Sequence, residues 1–345
     1  MNKKKNIVFF TIAVILILAI FAAMHIKSLF NTPIVKLNNS KSEVFYITSG
    51  SNFETVKDKL IASDFITNIE AFVSMADIKS YNNIKSGRYI IKDGMSANDL
   101  VNLFRSGAQT PIKVTFNNIR FLPKFASKVS TKFEFDSTQL MTLLTDNQYL
   151  EQLGYNKQTI ISMFLPNTYE MWWNISANDF IEKMKVEHDK FWNEERLSKA
   201  KQINLTPTQV SILASIVQEE TNKKSEMSLI AGVYINRLKV GMLLQADPTA
   251  RFAYGDFSVK RVTYDYLKID SPYNTYKYKG LPPGPICMAN PTTIDKVLDF
   301  ETHKYYYFCA KADNSGSHVF ARNLRQHNNN ANAYHRYLNK QRIYR

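Results

Sequence analysis

Residues 6–26, NIVFFTIAVILILAIFAAMHI, run for roughly twenty residues without a formal charge, and this stretch sets the first limit on what the chain can fold into. As a helix it would rise about 30 Å, the thickness of the hydrocarbon core of a bilayer. The length argues against a core helix of a soluble domain and for a membrane span. A cleaved signal peptide has a shorter apolar core followed by a small-residue cleavage site. The Ala22–Ala23 pair keeps that alternative open, but the length favours an uncleaved anchor. Lys3, Lys4 and Lys5 precede the span, and clustered lysines stay in the cytoplasm. The expected topology is a cytoplasmic tail at 1–5, a transmembrane helix at 6–27 and everything beyond it on the outer side of the cytoplasmic membrane.

The remaining chain has the composition of a globular protein. The 345 residues are 45% hydrophobic, enough for one to three domains and a sizeable core. The net charge of +14 suits an anionic surface such as lipid headgroups or a cell-wall polymer. Nucleic acid is the other usual partner of such a charge. With no recognisable nucleic-acid module, no dense arginine-aromatic stripe and an export topology, it is not expected here. Two cysteines, Cys287 and Cys309, are too few for a disulfide scaffold, although they could pair in an oxidising compartment. The six histidines lack ligand spacing, and His318, His327 and His335 read as hydrogen-bonding or surface residues, so neither metal nor cofactor is expected.

Beyond the span, 28–43 is polar and reads as a linker. The pattern from 44 to 107 predicts a small module. A strand at 44–50 is followed by a helix opened by Ser51 with Glu54, a second helix near 69–78, a strand at 87–94, and a third helix capped by Ser96 with Asp99. This strand–helix–helix–strand order resembles the LysM glycan-binding module. The alternative is a spacer that lifts the rest of the chain off the membrane. From 108 onward the expected fold is a larger mixed α+β domain, with strand-like TPIKVTF at 110–116 and an aromatic segment, MFLPNTYEMWW, at 163–173. Those aromatics could be core or could offer stacking faces to sugars.

The chemistry is carried by the run LTPTQVSILASIVQEETNKK, residues 205–224. Thr206 supplies a cap, Pro207 occupies the first helical position and Gln209 the third, a capping-box signature. Leu213, Ile216 and Val217 make an apolar stripe, and Glu220 follows them by seven, four and three residues, which places its carboxylate on that face. Glu219 points about 100° away. A carboxyl group held against apolar surface loses hydration in its charged form, so its pKa rises toward the range where it can give and take protons near neutrality. A glycosidic general acid requires that property. The bland alternative is a helix-end carboxylate that reaches water or pairs with Lys223 or Lys224.

Downstream come a second helix near 225–238 stopped by Gly241, the turn-rich segments 243–255 and 271–291, a strand at 304–310, and HVFARNLRQHN from 318. Loops fixed by proline and glycine can present polar side chains to a cleft. Taken together, LPNTY, LASIVQEET, VYINRL, LQADPT, SPYNTYKYKGLPPGPI and HVFARNLRQHN resemble the YceG-like family of membrane-anchored endolytic murein transglycosylases, over most of the chain.

The resemblance implies cleavage of β-1,4 bonds between N-acetylmuramic acid and N-acetylglucosamine within peptidoglycan glycan strands. It implies action in cell-wall assembly or remodelling, alongside proteins of wall synthesis. The family's catalytic glutamate maps to Glu220. A lytic transglycosylase needs one carboxyl group: Glu220 protonates the glycosidic oxygen, then takes the proton of the muramyl C6 hydroxyl as it closes onto C1. Gln245, Asp247, Tyr273 and Asn274 are the expected substrate-positioning residues. Asp247 is also the one nearby candidate for a second carboxylate, although ADPT reads equally as an Asx turn. This chain departs from many relatives at Ile161, Ser162, Asn167, Gln218 and Gln326, where carboxylates or glycine are usual. Two other readings are weighed against a lyase: a non-catalytic wall-binding scaffold and a two-carboxylate hydrolase using Glu220 with Asp247.

Overall fold

The computed structural model describes residues 2–38, 40–257 and 264–341. The chain divides into two compact units. The first runs through residue 113 and takes in residues 132–134 and 170–175.

In the first unit α1 (Asn2–Asn31) carries the apolar run, and within it residues 7–31 form a helix long and apolar enough to cross a membrane. Its apolar side chains are exposed along almost the whole length, which in water would be unfavourable at every turn. Then follow β1 (Ser42–Ile47), α2 (Phe53–Ile61), α3 (Ile69–Ile78), β2 (Gly87–Lys92) and α4 (Ala97–Ser106). β1 and β2 pair antiparallel from Ser42 opposite Lys92 to Ile47 opposite Gly87. Alternation along the strands turns Phe45, Ile47, Tyr89 and Ile91 inward, where they meet Val56 and Leu60 of α2, Phe72 and Met75 of α3, and Leu100 and Phe104 of α4.

Two local expectations need adjusting. α2 is capped by Asn52, whose side chain accepts from the Thr55 amide, and not by Ser51, whose hydroxyl is taken by Thr48 at 2.9 Å. The segment expected as a linker gives Ile34 and Val35 to this core, through bridges at Pro33–Ser96 and Val35–Ile66. α4 has the predicted capping box of Ser96 and Asp99 and ends on Gly107 in the left-handed conformation.

β3 (Ile112–Phe116) leads into the second unit, which begins at Val114. It holds α5 (Leu122–Ser130), α6 (Ser137–Thr145), α7 (Asn147–Gln152), most of β4 (Asn167–Met171), α8 (Ala177–Phe191), α9 (Glu194–Gln202), α10 (Pro207–Glu220), α11 (Met227–Lys239), α12 (Asp247–Tyr254), α13 (Tyr264–Lys268), α14 (Pro291–Leu298), β5 (Tyr307–Ala310), β6 (His318–Ala321) and α15 (Leu324–Lys340). β3 pairs with β4, and β5 with β6. The fold is mixed α+β.

The core of this unit forms around α10, with Val210, Leu213, Ile216 and Val217 packed among Ile230, Ala231 and Tyr234 of α11 and Ile294 and Val297 of α14. α10 starts as its sequence dictates, on the reciprocal Thr206–Gln209 capping box with Pro207 in the first turn. α11 ends in a Schellman motif: Gly241 is left-handed at φ 68°, its amide donates to Leu238, and the Met242 amide donates to Arg237. The loop after α13 comes close to the segment before β4. A Cβ on Gly284 would stand 2.2 Å from the Gln158 carbonyl oxygen, so only glycine fits there.

Candidate active site

Glu220 is the last residue of α10 and opens on a cleft of about 430 Å³. α11 forms the floor beside it with Tyr234 and Arg237. The segment leading into α12 brings Gln245 and Asp247, Tyr276 comes from the loop after α13, and the β5–β6 hairpin and α15 supply Tyr307, Cys309, His318 and His327. The apolar stripe that precedes Glu220 is fully buried, and the helix delivers the carboxyl group from that stripe to the cleft.

Loss of hydration there raises the Glu220 pKa to about 7. The Tyr234 hydroxyl, which donates to Oε1 at 2.5 Å, pulls in the opposite direction, as does the charge of Arg237, while the negative charge of Asp247 pushes it up further. The donor on Oε1 leaves the acid proton to Oε2. Burial next to this carboxyl in turn holds the Tyr234 hydroxyl well above its ordinary value, so Tyr234 stays a donor throughout the pH range of interest. Tyr234→Phe keeps the ring packed edge-on against Phe308 and deletes the donor. The expected result is a Glu220 pKa higher than in the parent, read as an alkaline activity limb displaced to higher pH, with a rate about tenfold lower. An unmoved limb would show that the bond has no influence on the acid.

Neighbouring loops are locked by side-chain bonds that the motifs carry. The Thr275 hydroxyl meets that of Thr249 at 2.8 Å and accepts from the Ala246 amide, and its carbonyl accepts from the Gln245 amide. This joins LQADPT to YNTY and sets the Tyr276 hydroxyl donating to Asp247 Oδ1. The Asx-turn reading of Asp247 is not what forms: the Thr249 amide donates to Ala246 at 3.0 Å. Arg237, buried, donates to the carbonyls of Leu243, Leu244 and Tyr306, and its guanidinium lies over the Tyr307 ring at 5.1 Å. Burial lowers its pKa. Gln245, at φ 50°, lies within 3.5 Å of it through Oε1.

The expected site residues therefore divide. Glu220, Gln245 and Asp247 line one cleft. Tyr273 and Asn274 are not among its lining residues. Asn274 is fully buried, with its amide nitrogen donating to the carbonyls of Leu267 and Ile269, and Tyr273 packs on Phe252. Both shape the loop that presents Tyr276. Tyr234, Arg237 and Tyr276 join the site although the motifs do not single them out. The first two lie three residues apart in VYINRL, on one helix face, and that spacing was the available signal.

Glu219, on the other face as expected, accepts from Asn118 at 2.8 Å and pairs with Arg120. The Gln218 amide donates to the Met288 carbonyl and accepts from the Asn290 amide. A carboxylate could do only the second. Ile161 is buried core, and Gln326 accepts from the Arg322 amide at the start of α15, a contact a carboxylate would make as well. Cys287 and Cys309 are both free thiols. Among the described residues no group of three or more His, Cys, Asp or Glu side chains is arranged to hold a metal ion.

Residues 45–333 match the YceG-like family. The chain belongs to the YceG-like family. Its relatives there include the endolytic murein transglycosylase of Bacillus subtilis strain 168, 29% identical over 297 residues that cover 82% of each protein. The endolytic murein transglycosylase of Streptococcus pneumoniae strain D39 is 25% identical over 327 residues, 86% of this chain. This chain covers 59% of the length of that pneumococcal relative. A crystal structure of a YceG-like protein from Listeria monocytogenes superposes with a TM-score of 0.57 at 24% identity, over 84% of this chain and 98% of that one, and at that identity it speaks for the fold.

Proposed function

We propose that this YceG-like protein is a membrane-anchored endolytic murein transglycosylase that cuts the bond between N-acetylmuramic acid and N-acetylglucosamine inside glycan strands and leaves 1,6-anhydromuramyl ends. The observation that carries this reading is the Glu220 carboxyl group, raised to about 7 by burial where it lines an open cleft, in a chain whose relatives bear that activity in their names.

A residue with that pKa is protonated in a large fraction of molecules at neutral pH and can serve first as acid and then as base. Glu220 Oε2 gives its proton to the glycosidic oxygen as the C1–O bond breaks. The new carboxylate is stabilised by the Tyr234 hydroxyl, through a hydrogen bond that strengthens as charge appears. Positive charge on the sugar is favoured by the carboxylate of Asp247, which Tyr276 orients. The C6 oxygen then bonds to C1, its proton returns to Glu220, and no water is consumed. Gln245 lines the same cleft and is assigned to hold the sugar. Tyr273 and Asn274 act on substrate through the loop they build.

Asp247 in the same cleft is the observation that favours a second reading, a hydrolase with two carboxylates. The two reactions differ in whether the cut end carries oxygen from water. Internal cleavage is tested by following the length of soluble glycan strands during digestion by the full chain. An endolytic enzyme halves the long strands before small fragments accumulate, and release of only disaccharide-sized products from the start would refute it.

The anchor is read as uncleaved, with residues 1–5 in the cytoplasm, 6–27 in the membrane and 28–345 outside, on the lysine bias before the span. Full protection of the large portion from protease added to spheroplasts would overturn that topology. Within the first unit, residues 44–107 are read as a LysM-like glycan-binding module, because β1, α2, α3 and β2 follow the expected order. Peptidoglycan retention unchanged by its deletion would favour a spacer instead.

A further inference from the structure

Glu226 does not cap the helix it precedes. It occupies the position before α11, yet makes no side-chain cap bond there. Its two carboxylate oxygens go instead to one residue of the β5–β6 hairpin: Oε1 accepts from the His318 amide at 2.9 Å, and Oε2 faces His318 Nδ1 at 2.9 Å. Both side chains are largely buried, with 13% and 16% of their surface exposed. Burial pushes the Glu226 pKa up, but the hydrogen bonds from His318 and the charges of His318 and Lys223 outweigh it and hold the group below its ordinary value, so Glu226 accepts as a carboxylate and Nδ1 is the donor. Lys223 adds a second tie between the same segments through Ser317 Oγ at 2.6 Å. The Phe308 ring meets the imidazole edge-on at 5.4 Å and limits its rotation.

A bond at Nδ1 fixes which edge of an imidazole is left over. His318 lines the cleft that Glu220 opens on, whereas Glu226 does not. Nε2 is therefore the ring nitrogen left for a ligand in that cleft. A buried carboxylate spent on orienting one ring is costly as pure architecture, because a backbone bond alone would hold the hairpin.

We propose that His318 is a substrate-contacting residue, positioned by Glu226 so that Nε2 hydrogen-bonds a hydroxyl of the glycan strand bound across from Glu220. A sugar hydroxyl can donate to the neutral ring and accept from the charged one, so the contact persists in either state. The inference rests on the cleft being a glycan site. It adds to that site a polar wall contributed by the hairpin, and it gives Glu226 a role exerted through another residue.

Two isosteric changes in the full chain separate contact from architecture. Asparagine places its amide where Nδ1 stood and keeps the Glu226 bond, but has nothing at Nε2. Glutamine reaches the Nε2 position. His318→Asn should raise KM for soluble glycan strands about tenfold, the loss expected for one hydrogen bond, with a smaller change in kcat and an unchanged melting temperature. His318→Gln should recover KM to within about threefold of the parent. Glu226→Ala, which frees the ring without removing it, should raise KM as well. A KM for His318→Asn equal to that of the parent overturns the proposal. Should that variant not fold, Glu226→Ala decides, and an unchanged KM there overturns it equally. A parent protein that yields no anhydro ends contradicts the proposed function, whereas an active parent with an unaffected His318→Asn contradicts this inference alone.

Discussion

Glu220→Gln is expected to lose at least about a thousandfold in release of 1,6-anhydromuropeptides while remaining folded and still retaining glycan strands. The amide keeps the size of the side chain and can still accept the Tyr234 hydroxyl through its oxygen, so the contacts around it survive. It cannot hand a proton to the glycosidic oxygen. Loss of turnover without loss of binding is the signature of an interaction made in the transition state and not in the ground state. Glu219→Gln provides the contrast. That side chain lies off the cleft and pairs with Arg120, so its loss should lower the melting temperature slightly and leave the rate within about threefold. An active Glu220→Gln, or an inactive and well-folded Glu219→Gln, would mean that another carboxylate is the acid.

The second expected result concerns pH and involves the same group in both rate and stability. Activity needs protonated Glu220 at the start of each turnover, so kcat/KM should fall about tenfold per pH unit above about 7. Stability follows from the difference between folded and unfolded states. In the unfolded chain this group titrates near 4.5, and in the folded protein near 7. Below the first value both states hold the proton and burial carries no charge penalty. Between the two, the folded state binds the proton that the unfolded state has released, so the folded protein loses stability as pH rises through that window. Each pH step across that window removes about 1.4 kcal/mol, and the loss from this residue reaches about 3 kcal/mol by pH 8. Glu220→Gln has no proton to lose. Its melting temperature should therefore rise above that of the parent as pH goes from 4.5 to 8, and the two should converge in acid. A difference between them that does not vary with pH would show that Glu220 is not held in its acid form by the fold.

Much of this site is legible in the amino-acid sequence, and the parts that are not share a physical cause. Thr206, Pro207 and Gln209 announce the start of α10, and 3.6-residue periodicity puts Glu220 on the buried face, because both are local consequences of helix geometry. Gly241 marks the end of α11 for the same reason. What periodicity does not carry is the meeting of side chains from different elements. Tyr234 is fourteen residues beyond Glu220, and its alignment predicts burial but not that its hydroxyl ends on the carboxyl oxygen. Asn274 and Tyr276 are two residues apart in one polar loop, yet one turns inward to satisfy the carbonyls of Leu267 and Ile269 and the other reaches Asp247. Expected strand 304–310 begins only at Tyr307, since the carbonyls of His303, Tyr305 and Tyr306 are taken by Asn236 and Arg237 of α11. Asn52 replaces Ser51 as a helix cap because Thr48 takes the serine hydroxyl. In each case a polar group had several equivalent local partners, and tertiary packing chose among them.

In the proposed reaction one carboxyl group drives an internal ring closure in which water takes no part. Mass spectrometry of glycan fragments released by the full chain in ¹⁸O-labelled water tests it most directly. The expected fragments end in 1,6-anhydromuramic acid, lighter by one water than the hydrolytic product and free of label. Reducing ends carrying ¹⁸O would contradict it and would assign the cleft to a hydrolase in which Asp247 acts with Glu220.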